Sequence, residues 1–185
     1  ARGWAVAMIG YTLAPQARIA DITAEIAAAT NAVAKLGSGP LRLAGHSAGG
    51  HLVARMMCRD VPLSDQAAQR LDRVVSVSGL HDLRPLRRLA KNQTWGLDDA
   101  EAAAESPVMQ MPREGIELAC IAGADERPEF IRQNALLPLV WQGLGTLACS
   151  RLLAGDHHFS VIDHLADAGS SLCDLTCAPS LAPES

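Results

Sequence analysis

A glycine-rich turn around Ser47 is the feature that most restricts how this chain can fold. The turn reads Gly45-His46-Ser47-Ala48-Gly49. It lies between a short apolar run at residues 41–44 and a segment of helical character at residues 48–59. A G-x-S-x-G sequence between a strand and a helix is typical of a nucleophile elbow, which exposes the serine hydroxyl at a sheet edge. A plain glycine-rich turn is the alternative, and the flanking strand and helix favour the elbow.

Short apolar runs alternate with helical segments along most of the chain. The runs predict strands at residues 4–9, 41–44, 74–78, 116–122 and 146–153. Helices are predicted at residues 19–36, 48–59, 83–104 with an interruption at 92–96, 128–143 and 159–168. This alternation predicts an α/β fold with a mostly parallel sheet covered by helices on both faces. We expect one domain over residues 1–169 and a mobile tail over residues 170–185.

Charge and hydropathy exclude several classes of protein. The formal net charge is −4, from 16 Lys and Arg against 20 Asp and Glu, which disfavours nucleic acid as a partner. The longest apolar run, residues 4–9, is far too short to cross a bilayer, and no signal-peptide pattern is visible. Five cysteines is an odd number, and several lie in apolar segments as free thiols do. We therefore expect a cytoplasmic protein that binds neither nucleic acid nor membrane.

Two later strand ends carry the groups that a nucleophilic serine requires. The carboxyl ends of parallel strands meet at one edge of the sheet, and the elbow predicts the chain order serine, acid, histidine. Asp125 and Glu126 follow the fourth predicted strand, and His157 and His158 follow the fifth. Asp125 as a helix cap and Glu126 as a solvated loop charge are the alternatives. The residues alone leave both choices open.

Other groups near the predicted sheet edge have simpler interpretations. The Ala48 N–H begins the helix after the elbow, so we expect it to face a developing oxyanion. His46 and His51 flank the elbow, where packing is the default role. Asp82 is interpreted as a cap for the helix that follows it. Trp95 is a candidate pocket wall, although a packed core residue is the more common role.

No metal or organic cofactor is predicted. One set of side chains has ligand chemistry: Cys173, Cys177, His157, His158 and His164. Their spacing matches no common zinc pattern. The Gly-Ser-Gly-Pro stretch at residues 37–40 precedes a strand rather than a helix, so it is not a phosphate loop.

These motifs resemble the α/β-hydrolase superfamily, and more narrowly the kynurenine formamidase (arylformamidase) group with its esterase-like relatives. The matching stretches are residues 3–15, 45–52, 78–85, 106–107, 126–133 and 158–159. The resemblance covers residues 3 to about 165. It implies Ser47 as nucleophile, His158 as base and Glu126 as acid, because the family's carboxylate stands three residues before a Glu-Phe pair. Asp125 stays as the alternative acid, since the superfamily more often uses Asp.

One family element has no counterpart in the chain. The second oxyanion donor of the family comes from a His-Gly-Gly type loop, placed upstream of the stretch that matches residues 4–9. The resemblance therefore implies a chain similar to the C-terminal two-thirds of a family member, with N-terminal strands missing. In that case residues 4–9 are either orphaned or paired directly to residues 41–44. We expect such a chain to aggregate and to have low activity.

The resemblance implies acyl transfer to serine without a metal or organic cofactor. An arylformamidase of this kind converts N-formylkynurenine to kynurenine and formate, a step in tryptophan catabolism. A general carboxylesterase acting on small esters is the first alternative. A non-catalytic binding domain of hydrolase fold is the second, because the oxyanion loop is absent. The expected partner is a small-molecule substrate, and a homodimer is left open.

Overall fold

The computed structural model describes residues 2–178. Its sheet is formed by β1 (Leu41–His46), β2 (Leu71–Val77), β3 (Glu117–Gly123) and β4 (Ala148–Leu153). The strands lie in the order β1-β2-β3-β4, and every neighbouring pair is parallel. The last four predicted strands are therefore confirmed, and their carboxyl ends meet at one edge.

Helices connect and cover the strands. The α-helices are α1 (Ile19–Ala34), α2 (Ala48–Arg55), α3 (Asp65–Arg70), α4 (Asn92–Trp95), α5 (Asp99–Ala104), α6 (Pro128–Gln142) and α7 (Ser171–Cys177). Short 3₁₀ helices occur at Arg84–Arg88, Pro107–Met109 and Val161–Ala166. Helix α6 begins with Pro128, whose fixed φ suits the first helical position and whose missing N–H has no intrahelical partner to lose. None of the helices within residues 2–178 is long and apolar enough to cross a membrane.

The two faces of the sheet carry separate apolar clusters. Successive strand residues point to opposite faces, so Val74 and Val75 of β2 enter different clusters. The first face packs against α1, α2 and α6 through residues such as Ile26, Leu52 and Trp141. The second packs against a smaller layer that includes Val161, Leu172 and Leu175. The predicted α/β fold, with a parallel sheet between helices, is thus confirmed.

The first predicted strand is wrong. Residues 4–9 form no strand, because they make no hydrogen-bonded ladder with β1 or any other strand of the described chain. Val6 is 80% exposed and Met8 is 92% exposed, whereas Ile9 packs against the first-face cluster. The Trp4 ring lies 4.6 Å below the Arg42 guanidinium carbon. Residues 4–9 are therefore unpaired, which is one of the two arrangements expected from the sequence. Aggregation of the chain stays a prediction.

Several other boundaries differ from those that the sequence predicts. Residues 83–104 form one 3₁₀ turn and two short helices, and residues 159–168 form a 3₁₀ helix at Val161–Ala166 instead of an α-helix. Helix α7 lies within the segment predicted as a mobile tail, and the mobility of that segment stays a prediction. Helix α7 packs Leu172 against the second-face cluster, and Arg42 and Arg73 donate to backbone carbonyls at its end. The rest of the predicted tail, residues 179–185, lies outside the described residues.

Candidate active site

Ser47 sits on a strained turn between β1 and α2. Its φ is +56°, a left-handed conformation that non-glycine residues rarely adopt, and its N–H donates to the Val77 carbonyl at 2.8 Å. A Cβ on Gly45 would lie 2.2 Å from the Gly49 carbonyl oxygen, so only glycine permits the chain to double back here. The predicted elbow is therefore present, with Ala48 as the first residue of α2.

Ser47, His158 and Glu126 form one hydrogen-bonded chain. The Ser47 Oγ lies 3.1 Å from the His158 Nε2, and the His158 Nδ1 lies 2.7 Å from the Glu126 Oε2. Because a carboxylate only accepts hydrogen bonds, Nδ1–H donates to Glu126 and Nε2 accepts from the serine hydroxyl. This is the tautomer in which the imidazole can take the proton of the serine.

The Glu126 carboxylate is fully buried and held on both oxygens. Its Oε1 accepts from the Ser78 hydroxyl at 2.5 Å and from the Gly123 N–H at 2.9 Å, while Oε2 faces His158. Ser78 immediately follows β2, and it also has a positive φ of +51°. The hydrogen bonds therefore run Ser47–His158–Glu126–Ser78 and use the carboxyl end of every strand in the sheet. We call Ser47, His158, Glu126 and Ser78 the strand-end ring. The ring is closed because the Ser47 N–H donates to the carbonyl of Val77, which precedes Ser78.

Aromatic rings surround the His158 imidazole. The ring centroids of His46 and Phe130 lie 4.7 Å and 4.3 Å from that of His158, both tilted. The Phe159 ring meets His158 edge-on at 5.3 Å and is 75% exposed. An uncovered aromatic side chain thus lies directly beside the imidazole that would meet a leaving group.

The loop that carries His158 is tied to the end of β3. A Cβ on Gly123 would lie 2.1 Å from the Asp156 carbonyl oxygen, so the two chains approach as closely as glycine allows. Asp156 accepts from the Ser160 hydroxyl at 2.8 Å and from the His164 Nε2–H at 2.7 Å. Burial alone would raise the pKa of Asp156, but the contacts with Ser160 and His164 outweigh it and lower that pKa.

The alternative acid, Asp125, and the alternative base, His157, lie outside this hydrogen-bonded chain, and Asp82 has a separate partner. Asp125 is exposed, and its backbone N–H donates to the Asp156 carbonyl. His157 is also exposed, and its Nδ1 accepts from the N–H groups of Phe159 and Ser160. Asp82 accepts from the Arg84 backbone N–H and pairs with the Arg84 side chain, but the residue at the N-cap of the 3₁₀ helix Arg84–Arg88 is Leu83, so the predicted capping role of Asp82 is wrong. Neither Asp125 nor His157 joins the hydrogen-bonded chain.

Trp95 and His51 contribute to packing away from the hydrogen-bonded chain of Ser47, His158 and Glu126. Trp95 packs against a separate apolar cluster that includes Leu83 and Leu97. A role for Trp95 as a pocket wall stays a prediction. His51 is buried, and its Nε2–H donates to the Glu105 carbonyl at 2.7 Å. Burial lowers the pKa of His51 to about 4, so its ring is neutral at pH 7.

The same edge of the sheet presents a hydroxyl on an elbow, an imidazole and a carboxylate in hydrogen-bonded order. Together with the parallel sheet, this defines the class of α/β hydrolases. The chain belongs to the alpha/beta hydrolase fold family, because the sequence model of that family matches residues 1–131. Within residues 2–178, no group of three or more His, Cys, Asp or Glu side chains is placed to hold a metal ion.

Two curated relatives are kynurenine formamidases. The protein of Drosophila melanogaster is 26% identical over 179 residues, which cover 89% of this chain and 59% of that protein. The protein of Danio rerio is 24% identical over 181 residues, which cover 94% of this chain and 61% of that protein. The chain spans about three fifths of the length of these relatives.

Solved structures show the same architecture. A protein of Silicibacter sp. TM1040 assigned as a thioesterase superposes with a TM-score of 0.88 at 42% identity, over 96% of this chain and 65% of that chain. An esterase of Pyrobaculum calidifontis superposes with a TM-score of 0.66 at 19% identity, over 82% of this chain and 56% of that chain. Because the esterase of Pyrobaculum calidifontis is only 19% identical to this chain, its similarity shows a shared fold and nothing about activity.

Sequence reasoning missed two residues of the site. Ser78 begins a matching stretch in which it has no predicted role, and in the structure its hydroxyl donates to Glu126. Gly123 follows the predicted strand at residues 116–122 and has no predicted role, whereas in the structure it donates to Glu126 and allows the close approach of Asp156. Their position was the available signal, because each stands at or next to the carboxyl end of a strand.

Proposed function

We propose that the protein is a serine hydrolase that cleaves an amide or ester through an acyl-enzyme on Ser47. The observation that carries this proposal is the continuous hydrogen-bonded chain from Ser47 through His158 to Glu126. A serine hydroxyl is a weak nucleophile unless an adjacent base takes its proton, and the base works best when a carboxylate holds it. The hydroxyl of Ser47, the imidazole of His158 and the carboxylate of Glu126 lie together at one edge of the sheet.

The proposed reaction has two acyl-transfer steps. His158 takes the Ser47 proton while the oxygen attacks the substrate carbonyl, and Glu126 stabilises the imidazolium that forms. The imidazolium then gives its proton to the leaving group as the bond to the carbonyl carbon breaks. A water molecule, deprotonated by the same imidazole, cleaves the acyl-enzyme and regenerates Ser47. Ala48 is exposed at the start of α2, and its N–H is the proposed oxyanion donor.

An N-formyl aryl amide such as N-formylkynurenine is the proposed substrate. The curated relatives named kynurenine formamidase support this choice. The exposed Phe159 ring supports it independently, because His158 must protonate the leaving group and Phe159 lies against His158. The overall reaction adds water to give formate and the aryl amine.

A general esterase is the second candidate, with small carboxylic esters or thioesters as substrates. The structural neighbours described as a thioesterase and an esterase favour it. The same chain of Ser47, His158 and Glu126 would serve, so the geometry does not separate the two candidates. A non-catalytic binding domain of the same fold is the third hypothesis, and it requires that Ser47 does not act as a nucleophile.

A labelling and turnover experiment separates these candidates. We expect a fluorophosphonate probe to label the protein at Ser47, and Ser47→Ala to abolish the label and lower turnover by several orders of magnitude. The ratio of kcat/KM for N-formylkynurenine to that for p-nitrophenyl acetate and an acetyl thioester then selects between formamidase and esterase. Near-full turnover in Ser47→Ala would refute the nucleophile, and an unlabelled, inactive protein would favour the binding domain.

A further inference from the structure

His46 precedes the nucleophile and contacts the base from a second direction. Its Nε2 lies 2.7 Å from the backbone carbonyl oxygen of His158, and the two rings are 4.7 Å apart. We propose that His46 is a positioning residue for the reaction proposed above, and that it anchors the main chain of His158 to the elbow. This inference rests on the proposed function, because it concerns the alignment of the same nucleophile and base.

The direction of the hydrogen bond follows from its acceptor. A carbonyl oxygen only accepts, so the His46 Nε2 carries the proton and donates it. Burial lowers the pKa of His46, and this outweighs the hydrogen bond to His158, which raises that pKa. The neutral ring therefore dominates at pH 7, with its proton on Nε2. If His46 served only in packing, its flat ring against His158 would be sufficient. The hydrogen bond to the His158 carbonyl also requires the Nε2–H donor of His46.

The sheet itself does not fix the distance from Ser47 to His158. Strands β1 and β4, which carry the two residues, are the first and last in the order of the sheet and share no ladder. Within the described chain, two hydrogen bonds join the elbow to the His158 loop, and these are Ser47 to His158 and His46 to His158. The second one therefore supplies a link that the strand pairing lacks.

The contact between nucleophile and base is the one most sensitive to this link. The Ser47–His158 hydrogen bond is 3.1 Å long, against 2.7 Å for the His158–Glu126 hydrogen bond. If the anchor is lost, His158 can keep its bond to Glu126 while its ring moves away from Ser47. A displacement of about 1 Å from productive geometry can cost roughly 100-fold in rate.

Two substitutions separate the donor from the ring. His46→Phe keeps a flat ring against His158 and removes the donor, whereas His46→Gln keeps an amide donor near the position of Nε2 and removes the ring. We expect His46→Phe to lower kcat for p-nitrophenyl acetate by roughly 10- to 100-fold, with KM within about threefold. We expect His46→Gln to retain most of kcat. Fluorophosphonate titration gives the concentration of active sites, so kcat refers to folded protein only.

A turnover-independent measurement accompanies these rates. With histidine labelled by ¹³C at the carbonyl carbon, the His158 resonance should shift in His46→Phe and stay near its wild-type position in His46→Gln. An unshifted resonance in His46→Phe would overturn the anchor. A shifted resonance with unchanged kcat, or a loss of kcat in His46→Gln greater than in His46→Phe, would overturn the positioning role and leave the proposed function intact. A wild-type protein that neither labels nor turns over would instead refute the proposed function, and the positioning role with it.

Discussion

At the scale of single residues, two adjacent carboxyl groups have different environments. Asp125 points to solvent, whereas the neighbouring Glu126 is buried and bonded to His158, Ser78 and Gly123. The difference arises because the chain turns at the end of β3, so that successive side chains face opposite directions. One position in sequence thus decides whether a carboxylate can hold the imidazole.

We expect Glu126→Gln to reduce kcat by roughly 10⁴-fold, because an amide can donate to the imidazole and favour the wrong tautomer. Asp125→Asn is the matched control, and we expect it to change kcat by no more than about threefold, as exposed substitutions usually do. Steady-state kinetics with p-nitrophenyl acetate measure both. The opposite ranking would transfer the role of the acid to Asp125.

At the scale of secondary-structure elements, the site depends on the approach of two loops. The end of β3 carries Glu126, the loop after β4 carries His158, and they touch at Gly123 and Asp156. The touching backbones leave no space for a side chain. Both loops must therefore keep their spacing for Glu126 and His158 to stay hydrogen-bonded.

Gly123→Ala should separate these loops, since its Cβ would lie 2.1 Å from the Asp156 carbonyl oxygen. We expect a lower thermal midpoint and a loss of kcat per titrated site of at least about tenfold, as misplaced catalytic groups show. Gly39→Ala is the control, because a Cβ there meets nothing within 4 Å and its φ is not left-handed. Equal behaviour of the two variants would show that the loop contact does not matter.

Most of the elements were predictable from sequence, and the failures have physical causes. The central strands β2 and β3 lie in apolar runs that a parallel sheet buries on both faces, whereas the edge strands β1 and β4 are partly exposed. Residues 4–9 are even more apolar than these strands, but apolar composition does not reveal whether a pairing partner exists. Helix α7 was missed because its stability comes from tertiary contacts of Leu172 and from Arg42 and Arg73. Ser78 and His46 lie within recognised motifs, but neither motif specifies what its side chain contacts, so only the fold shows those contacts.

At the scale of the whole molecule, buried histidines make stability depend on pH. His51 and His81 are buried, and burial lowers the pKa of each to about 4, despite backbone hydrogen bonds that raise it. In the unfolded chain a histidine binds a proton near pH 6.5. Between about pH 6.5 and 4 the unfolded state therefore holds more protons than the folded state, so stability falls as the pH is lowered.

We expect the free energy of unfolding to drop by about 2 kcal/mol per buried histidine between pH 7 and pH 5. Urea unfolding at the two pH values measures this difference. His81→Gln should lower the stability at pH 7, because the His81 Nδ1–H donates to the Gln133 carbonyl, but should reduce the drop between the two pH values. An unchanged drop in the variant would mean that His81 does not contribute to it.

The strand-end ring has a consequence for how the protein loses its structure. A residue that follows the carboxyl end of each strand belongs to the ring, so we expect that no strand can detach while Ser47, His158 and Glu126 stay aligned. Enzymatic turnover, if the proposed function holds, then reports on the cooperativity of the entire sheet. In a denaturant titration, we expect activity to be lost at the same denaturant concentration as the far-UV circular dichroism signal or at a lower one. An active intermediate with one strand of the sheet unfolded should not be observed.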